Sequence, residues 1–387
     1  MSIDKVTTRE SRDEERIKGR VDTMNHRERF LATINHQKPD RIPVDVMAFQ
    51  KGVLEGMMGP LGVDSGGPGV DSVEEIYRRL RLDFRDILPP SYTGPLPKED
   101  PAGSNVGYWG VVDVVPSETE AHSMPYGDSL TLRPLQKASS LREVEEYLWP
   151  DPTAFDYGVF VDKCKKNQEF VVRSGGGPLF CQVCSLAGME TTLRNLLLQP
   201  RIVEAIVERI TEFNCEAYRG YFVKASEFID VFRFWDDVAT DRGLFFNLRL
   251  WRKFFKKPLA KIFAVAKDFG LRIQYHCCGA MSELIPDLLE VGMDILEPCQ
   301  FHLPGMEPKR LKREFGRDLT FWGGINTQQT LPFGTTEQVR EEVRERIDIV
   351  GKNGGYILSS DHSLELDVPV KNILAMYEEA GNRTKNG

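Results

Sequence analysis

Short apolar runs and longer amphipathic segments alternate along most of this 387-residue chain. The apolar runs predict eight strands, at residues 41–46, 83–88, 170–173, 228–234, 271–274, 293–298, 319–322 and 355–358. Most of the segments between them carry apolar residues at helical spacing, as Ile202, Ile206 and Ile210 do. Eight strands that are nearly all followed by helices are typical of a (β/α)8 barrel, and we therefore predict an α/β TIM barrel.

A doubly wound open sheet would give the same alternation of strands and helices. Such a sheet is expected to show a glycine-rich phosphate-binding turn after an early strand. The three glycines at residues 175–177 follow the third predicted strand and have the wrong spacing for that turn. The pattern therefore favours the barrel.

Two stretches depart from the alternation. Residues 1–23 are densely charged and contain almost no large apolar residues, which predicts a flexible extension. Residues 103–135 fit no strand–helix unit, and the segments 108–115 and 129–135 within them predict an inserted hairpin that helps to cover the site. We expect a single barrel domain at residues 24–387 that carries this N-terminal extension and this insertion.

Composition excludes several classes of protein. The net charge of −8 argues against a nucleic-acid-binding protein, which needs a basic face to replace counterions. No apolar run approaches the ~20 residues that span a bilayer, and the N-terminus has no apolar signal-peptide core. Seven cysteines are a sparse and odd number for a disulfide framework, so we expect a reducing, cytoplasmic location.

The strongest candidate chemistry follows the fifth predicted strand. His276 and Cys278 are separated by one residue, so strand alternation places them on one side and Cys277 on the other. Imidazole nitrogen and thiolate sulfur are preferred ligands of zinc. The pair predicts a metal site at the mouth of the barrel, and the alternative is a buried histidine beside two buried cysteines.

A catalytic zinc requires a third protein ligand and an open position. The sequence offers Cys299 after the sixth predicted strand, His362 after the eighth, or a carboxylate from Glu297 or Asp361. Residue order alone does not choose among them. We expect Cys299 as the third ligand, and we expect His362 to be catalytic if it is not a ligand.

Other polar and aromatic residues are predicted at the carboxyl ends of the strands. Two adjacent aspartates point to opposite sides of a continuing strand, and of the two we expect Asp237 to be catalytic. We separately expect Asp236 to lie beside the substrate. Either aspartate could instead form an ion pair with Arg233 or Arg242. The predicted substrate-binding residues are Met47, Ser174, Trp235, Asp236 and His302.

Six segments resemble the uroporphyrinogen decarboxylase superfamily, in order and at the expected strand–helix junctions. They are residues 24–30 (MNHRERF), 39–44 (PDRIPV), 276–279 (HCCG), 294–298 (DILEP), 319–325 (LTFWGGI) and 355–358 (GYIL). The resemblance extends from about residue 24 to the C-terminus. It implies a (β/α)8 barrel and, at the level of the family, a homodimer.

The resemblance implies one of two chemistries. True uroporphyrinogen decarboxylases carry an arginine-rich loop after the first strand, which binds the many carboxylates of the substrate. The matching residues 46–50 (VMAFQ) contain no arginine, so an octacarboxylate would keep unpaired charges. This difference argues against porphyrin decarboxylation.

The second branch of the superfamily contains zinc-dependent methyltransferases that act with corrinoid proteins. Its His-x-Cys ligands match His276 and Cys278, but its third ligand, a cysteine after strand eight, is replaced here by residues 360–362 (SDH). The resemblance implies transfer of a methyl group between a small methyl ether or thiol and the cobalt of a separate corrinoid protein. The alternatives are a metal-free, decarboxylase-like lyase acting on a smaller, non-porphyrin substrate, and a binding protein without catalysis.

Overall fold

The structure is a computed structural model, and it describes residues 22–64, 71–96, 107–111 and 133–382. The flexible extension predicted at residues 1–23 lies almost entirely outside the described residues. Most of the hairpin predicted within residues 103–135 lies outside them as well.

Seven parallel strands form the central sheet of the described chain. They are Phe84–Ile87, Val171–Gly176, Val231–Trp235, Arg272–His276, Ile295–Glu297, Thr320–Ile325 and Tyr356–Ser360. Their spatial order follows their order in the chain, and each strand pairs in parallel with the next. Such a sheet brings the carboxyl ends of all its strands to one rim.

The sheet closes on itself through residues 43–45. Val44 forms a parallel bridge with Leu358, and the Asp45 N–H donates to the carbonyl of Leu358 at 3.0 Å. On the opposite side, the Asp83 N–H donates to the carbonyl of Val44 at 2.9 Å. The strand predicted at residues 41–46 is therefore reduced to one bridge, in part because Pro43 has no N–H for a longer ladder. With this closure the predicted α/β barrel is confirmed.

Helices connect these strands and follow the predicted amphipathic segments. Their bounds are His26–Ile34, Lys51–Leu61, Ser72–Arg79, Leu141–Glu145, Gly158–Lys166, Phe180–Ala187, Met189–Leu198, Pro200–Ala225, Leu248–Trp251, Lys257–Asp268, Ile285–Glu290, Pro308–Phe315, Thr330–Phe333, Thr336–Ile349 and Val370–Asn382. A π-helical turn at Arg252–Lys256 joins two of them. Short antiparallel pairs join Ser91–Tyr92 to Phe155–Asp156 and Ala239–Thr240 to Gly243–Leu244.

The longest of these helices is Pro200–Ala225, with 26 residues. Its buried face includes Ile202, Ile206 and Ile210, the apolar stripe that the sequence pattern contains. Most of its other positions carry charged residues, as expected for a helix that packs on one side only. Within the described part of the chain, no helix combines the length and the apolar character needed to cross a bilayer.

The helix His26–Ile34 closes the amino-terminal end of the barrel. It begins at Asn25, whose side chain forms a capping box with Glu28. Phe30 and Ile34 pack in one cluster with the first inward-facing residues of the strands, which are Phe84, Val171, Val231, Ile295, Trp322 and Ile357. This apolar layer fills the lower end of the barrel and leaves polar side chains to the upper end.

A layer of charged and amide side chains lies directly above this apolar layer. Arg173, which is buried, contacts Asp45 at 2.7 Å and donates two hydrogen bonds to Asp86. Gln274 accepts from Arg173 at 3.4 Å and donates to Glu297 at 2.6 Å. Buried charges are tolerated where they are paired in this way. The layer therefore links both sides of the barrel beneath the site.

Candidate metal centre and adjoining cavity

Asp237, His276 and Cys278 come together at the carboxyl ends of two neighbouring strands. One ligand atom from each lies within 4.8 Å of the others, with His276 Nε2 3.7 Å from Cys278 Sγ and 3.9 Å from Asp237 Oδ1. A metal bound tetrahedrally by Nε2 and Sγ holds these two atoms about 3.5 Å apart. The donor set and its spacing therefore fit one zinc ion, with a fourth position open.

Backbone contacts fix the relative positions of the three side chains. Trp235 and His276 are register partners in adjacent strands, and the Cys278 N–H donates to Asp237 Oδ1 at 2.7 Å. Cys277 is fully buried, and its Sγ accepts the N–H of Val238 at 3.3 Å. Cys277 thus packs in the core while His276 and Cys278 share the opposite side, as the alternation of the strand predicts.

Gly279 permits the close approach of the two loops that carry these ligands. Its φ of +117° is a conformation that residues with a side chain rarely adopt, and an added Cβ would lie 2.7 Å from the carbonyl oxygen of Thr240. Its N–H donates to Gln300 Oε1 at 2.7 Å. A larger residue at this position would therefore push Cys278 away from Asp237.

A buried ion pair lies on the other side of the His276 ring. Arg233 donates two hydrogen bonds of 2.6 Å to Glu297, and His276 Nδ1 lies 3.0 Å from Arg233 Nη2 and 3.3 Å from Glu297 Oε1. If Nε2 binds a metal, the ring proton is on Nδ1, and Glu297 is then the acceptor within reach. Carboxylates that orient metal-binding histidines in this way are common.

The charges around the site set the protonation of its side chains. Burial alone would raise the pKa of Glu297, but Arg233 and His276 outweigh burial and hold that pKa well below its usual value. Burial, followed by the nearby Asp237 carboxylate, raises the pKa of the Cys278 thiol. The free thiol therefore keeps its proton at neutral pH, and a metal would displace that proton on binding.

A cavity of about 510 Å³ adjoins the cluster. Its lining includes Arg233, which touches His276, and Trp235, the register partner of His276. The three candidate ligands themselves do not line it. A molecule in this cavity would therefore lie beside the metal-binding side chains, on the side of the Arg233–Glu297 pair.

A second, smaller cleft of about 240 Å³ contains the predicted catalytic residue His362, which is exposed. Gln300 and Gln328 line the same cleft. His302 Nδ1 lies 3.3 Å from the buried carboxylate of Asp361, and its Nε2 lies 3.3 Å from Gln328 Oε1. The hydrogen bond to Asp361 raises the pKa of His302 against the opposing effect of burial. The two histidines are therefore placed around this cleft and are not part of the metal cluster.

Two of the predicted site residues, Cys299 and Asp236, are buried and have contacts outside the cluster. Cys299 is fully buried, its Sγ lies 3.6 Å from the carbonyl oxygen of Leu296, and it is not part of the ligand cluster. Asp236 is also buried, and its two oxygens accept the N–H groups of Phe180 and Cys181 at 2.9 Å each. The structure therefore does not bring Cys299 to the metal position, and it uses Asp236 to fix the start of the helix Phe180–Ala187.

Ser174 and Met47 also lie away from the cluster. Ser174 is buried and alternates with Arg173, whose side chain faces the barrel interior, so Ser174 faces the surrounding helices. Met47 is half-buried and packs against the apolar layer at the lower end of the barrel. Neither residue lines either of the two cavities described above.

The sequence did not single out several residues that the structure places at the site. The sequence suggests Arg233 only as an ion-pair partner of the adjacent aspartates, but Arg233 binds Glu297, which comes 64 positions later. Asp86 and Asn214 line the larger cavity together with the aromatic residues Tyr108, Trp109, Phe155 and Phe213. A charged residue inside an apolar strand, as in Phe-Arg-Phe at 232–234, is the signal that could have revealed Arg233.

Solved structures show the same fold in another protein. A structure described as a methyltransferase from Methanosarcina mazei aligns with 92% of this chain and 98% of its own chain, at 16% identity and a TM-score of 0.57. A Xaa-Pro dipeptidase with bound methionine (44% of this chain and 43% of that chain, 15% identity) and a D-psicose 3-epimerase (62% and 84%, 12% identity) have TM-scores of only 0.25 and 0.30, too low to carry an argument. Curated protein sequences contain no match.

The sequence of the chain also matches a protein family. The model described as Uroporphyrinogen decarboxylase (URO-D) matches residues 170–382, which is more than half of the 387 residues. The match includes both strands that carry Asp237, His276 and Cys278 to the rim of the barrel. The chain belongs to the uroporphyrinogen decarboxylase (URO-D) family.

Proposed function

We propose that this chain is a zinc-dependent methyltransferase that moves a methyl group between a small methylated substrate, a methyl ether or a thiol, and the cobalt of a separate corrinoid protein. The observation that carries the proposal is the cluster of Asp237, His276 and Cys278 within 4.8 Å. The description of the Methanosarcina mazei structure, which shares the fold, as a methyltransferase supports the same activity.

The donor set supports zinc as the metal. One imidazole, one thiolate and one carboxylate are three of the ligand types that zinc prefers, and three protein ligands with an open position are typical of a catalytic site. In this proposal Asp237 takes the place of the strand-eight cysteine that the sequence lacks. Bound zinc would supply a Lewis acid that lowers the pKa of a bound thiol or polarises a methyl ether oxygen.

The other residues of the site would hold the ligands and the substrate in place. Glu297 would hold His276 in the tautomer that leaves Nε2 free for the metal, and Arg233 would keep Glu297 ionised. Trp235, which is 38% exposed and lines the larger cavity, would contact the substrate. His362 lines the smaller cleft, and His302 contacts Gln328 in its wall; in this proposal either histidine could hold a proton for the reaction.

The proposal includes a partner, the corrinoid protein that carries the cobalt. The rim of the barrel is the docking face in this proposal, because the ligands lie at that end. No disulfide joins the seven cysteines in the structure, which supports a reducing compartment such as the cytoplasm. We also expect residues 24–387 to act as one domain and the chain to form a homodimer.

The competing function is a metal-free decarboxylation, which the family match favours. Arg233 is the only cation among the residues that line the larger cavity in the described chain, and Glu297 already takes two of its N–H groups. A porphyrinogen with many carboxylates would therefore meet no free positive charge there. A smaller carboxylic acid is the remaining candidate for this chemistry.

Metal analysis tests the proposal directly. The full-length chain, purified under reducing conditions without chelators, is expected to contain about one zinc ion per chain. Cys278→Ser should lose the metal, whereas Cys277→Ser, the matched control at the adjacent buried thiol, should retain it. A wild-type chain without zinc, or equal zinc in wild type and Cys278→Ser, would overturn the assignment.

Activity is tested by mixing the zinc-loaded chain with cob(I)alamin and a panel of methyl ethers and methyl thioethers. Methylation of the cobalt is followed as a change in cobalamin absorbance, and release of carbon dioxide from aromatic and aliphatic carboxylic acids is followed in parallel. Methylation supports the proposal. Carbon dioxide release without methylation would establish the competing function.

A further inference from the structure

One wall of the 510 Å³ cavity consists of aromatic rings that pack on one another. Trp109 and Phe213 have ring centroids 4.6 Å apart, and Tyr108 lies 6.0 Å from Phe213 and 6.2 Å from Phe155. All four residues line the cavity. Rings that support one another in this way form a rigid apolar surface, which favours a ligand with a π face of its own.

Three consecutive glycines form another part of the lining. Residues 175–177 contribute only backbone atoms to the cavity. An added Cβ on Gly176 would lie 2.4 Å from the Phe232 ring and 2.8 Å from the hydroxyl of Tyr218. Neighbouring side chains therefore leave no room for a side chain on Gly176. Because all three glycines line the cavity, their main chain faces a ligand there, and a flat molecule can approach it closely.

The charges in the lining are already paired. Asp86 accepts two hydrogen bonds from Arg173, and Arg233 donates two to Glu297. Among the lining residues that the structure describes, an anionic ligand would find no unpaired cation, and a cationic ligand would find no unpaired carboxylate. The lining therefore favours an uncharged ligand.

One polar group in the lining has no partner. Asn214 is 3% exposed and lines the cavity, and its amide nitrogen Nδ2 has no hydrogen-bond acceptor within the described chain. A buried N–H without an acceptor is unfavourable, so such groups are normally satisfied. The acceptor that is lacking in the protein can be supplied by a ligand.

We propose that this cavity binds one uncharged aromatic ring that carries an oxygen substituent, and that the Asn214 amide donates a hydrogen bond to that oxygen. The ring lies against the wall formed by Trp109 and Phe213, and its edge faces Arg233 and Trp235, next to His276. The identification of this ring as the methyl-bearing substrate rests on the proposed methyl transfer. The binding of the ring does not.

Binding to the full-length chain is measured by isothermal titration calorimetry with four probes. 2-Methoxyphenol has the ring and the oxygen acceptors, o-xylene has a similar ring without them, tetramethylammonium is a methylated cation, and methanesulfonate is a methylated anion. 2-Methoxyphenol is expected to bind most tightly, with a Kd about threefold to tenfold below that of o-xylene, which is the effect of one neutral hydrogen bond. Tighter binding of o-xylene or of either ion than of 2-methoxyphenol would overturn the proposal.

Two asparagine variants test whether Asn214 donates the proposed hydrogen bond. Asn214→Leu should remove the preference for 2-methoxyphenol over o-xylene, because the N–H donor is lost while the volume is nearly kept. Asn195→Leu is the matched control, because Asn195 is also buried with an unpartnered amide oxygen but does not line the cavity, and it should keep the preference. An unchanged preference in Asn214→Leu would refute the role of Asn214. If that variant does not fold, the order of the four wild-type dissociation constants decides.

The same probes separate this inference from the proposed function. If 2-methoxyphenol binds with the Asn214 dependence but does not methylate cob(I)alamin, the cavity assignment stands and transfer from an aryl methyl ether is refuted. If the chain methylates cob(I)alamin from an aliphatic donor and binds no aromatic probe, methyl transfer stands and the cavity assignment is refuted.

Discussion

Glu297 and His276 face each other across two adjacent parallel strands, with Glu297 Oε1 3.3 Å from His276 Nδ1. Both residues face the interior of the barrel, and Glu297 is fully buried. In the proposed metal centre, a buried carboxylate beside Nδ1 favours the tautomer that leaves Nε2 available to the metal. The relationship makes Glu297 the residue on which the geometry of the proposed metal centre most depends.

Replacing Glu297 with glutamine should lower zinc affinity by about 10- to 100-fold, the usual effect of losing such a partner. The amide lacks the negative charge that, in the proposed metal centre, stabilises the Nδ1–H tautomer of His276. The variant also leaves Arg233 without its counterion, so we expect about 3–5 kcal/mol of lost stability. Zinc affinity is measured by competition with a chromophoric chelator, and stability is measured by denaturant unfolding.

Asp45→Asn is the control for this experiment. It also neutralises a buried carboxylate, which is paired with Arg173, but the Asp45 carboxylate does not touch His276. It should lower stability but leave zinc affinity unchanged. Equal zinc affinity in Glu297→Gln and wild type would show that Glu297 has only a structural role.

The adjacent residues Asp236 and Asp237 should respond differently to the same substitution. Asp237→Asn should lower zinc binding, because the carboxylate oxygen near Nε2 of His276 is a proposed ligand. Asp236→Asn should keep zinc but lose about 1–3 kcal/mol of stability, because the backbone N–H groups of Phe180 and Cys181 lose a shared acceptor. Metal content and thermal unfolding of both variants test this prediction, and it fails if Asp237→Asn binds zinc like wild type.

Asp83 should make the protein sensitive to acid. Burial alone would raise the pKa of Asp83, but Arg41, His26 and Arg29 outweigh burial and hold that pKa far below its usual value. A pKa that is lower in the folded than in the unfolded state adds stability above the ordinary carboxylate pKa near 4, and this stability is lost as the pH falls below it. Asp83→Asn should cost about 3–5 kcal/mol at pH 7. Denaturant unfolding between pH 7 and pH 3 should show the difference from wild type shrinking; a constant difference would contradict this account.

His302 should give the opposite dependence on pH. Its hydrogen bond to Asp361 raises the pKa of His302 above the ordinary value, despite the lowering effect of burial. The added stability is therefore complete below the ordinary histidine pKa near 6.5 and is lost as the pH rises through the folded value. His302→Gln should be less stable than wild type by up to about 1 kcal/mol at pH 5.5, and the difference should disappear in alkaline solution. Thermal unfolding of both proteins across this range tests the sign.

The periodicity of the sequence was sufficient to predict the barrel. It located the strands Val171–Gly176, Val231–Trp235 and Arg272–His276 to within a few residues, because buried parallel strands carry continuous apolar runs. It could not predict that the first strand would shrink to the bridge at Val44, because the pairing of that segment depends on its neighbours Leu358 and Asp83.

The candidate site was predictable only in part. Alternation along one strand placed His276 and Cys278 together, because both residues belong to the same short segment. Which third residue lies beside them depends on the register between strands, which the sequence does not encode locally. Cys299 was expected there, but its thiol is turned into the core, and Asp237 from the preceding strand occupies the position instead. The catalytic and ligand roles of these residues remain predictions.

The helix His26–Ile34 closes the lower end of the barrel, because its residues Phe30 and Ile34 fill that end with apolar side chains. Within the residues that the structure describes, the site is therefore reached from the rim and not from the lower end of the barrel. On the proposed function, the small substrate and the large corrinoid protein must both approach the site from the rim. The small substrate has to bind first, because the docked corrinoid protein would cover the rim and exclude water from the reaction.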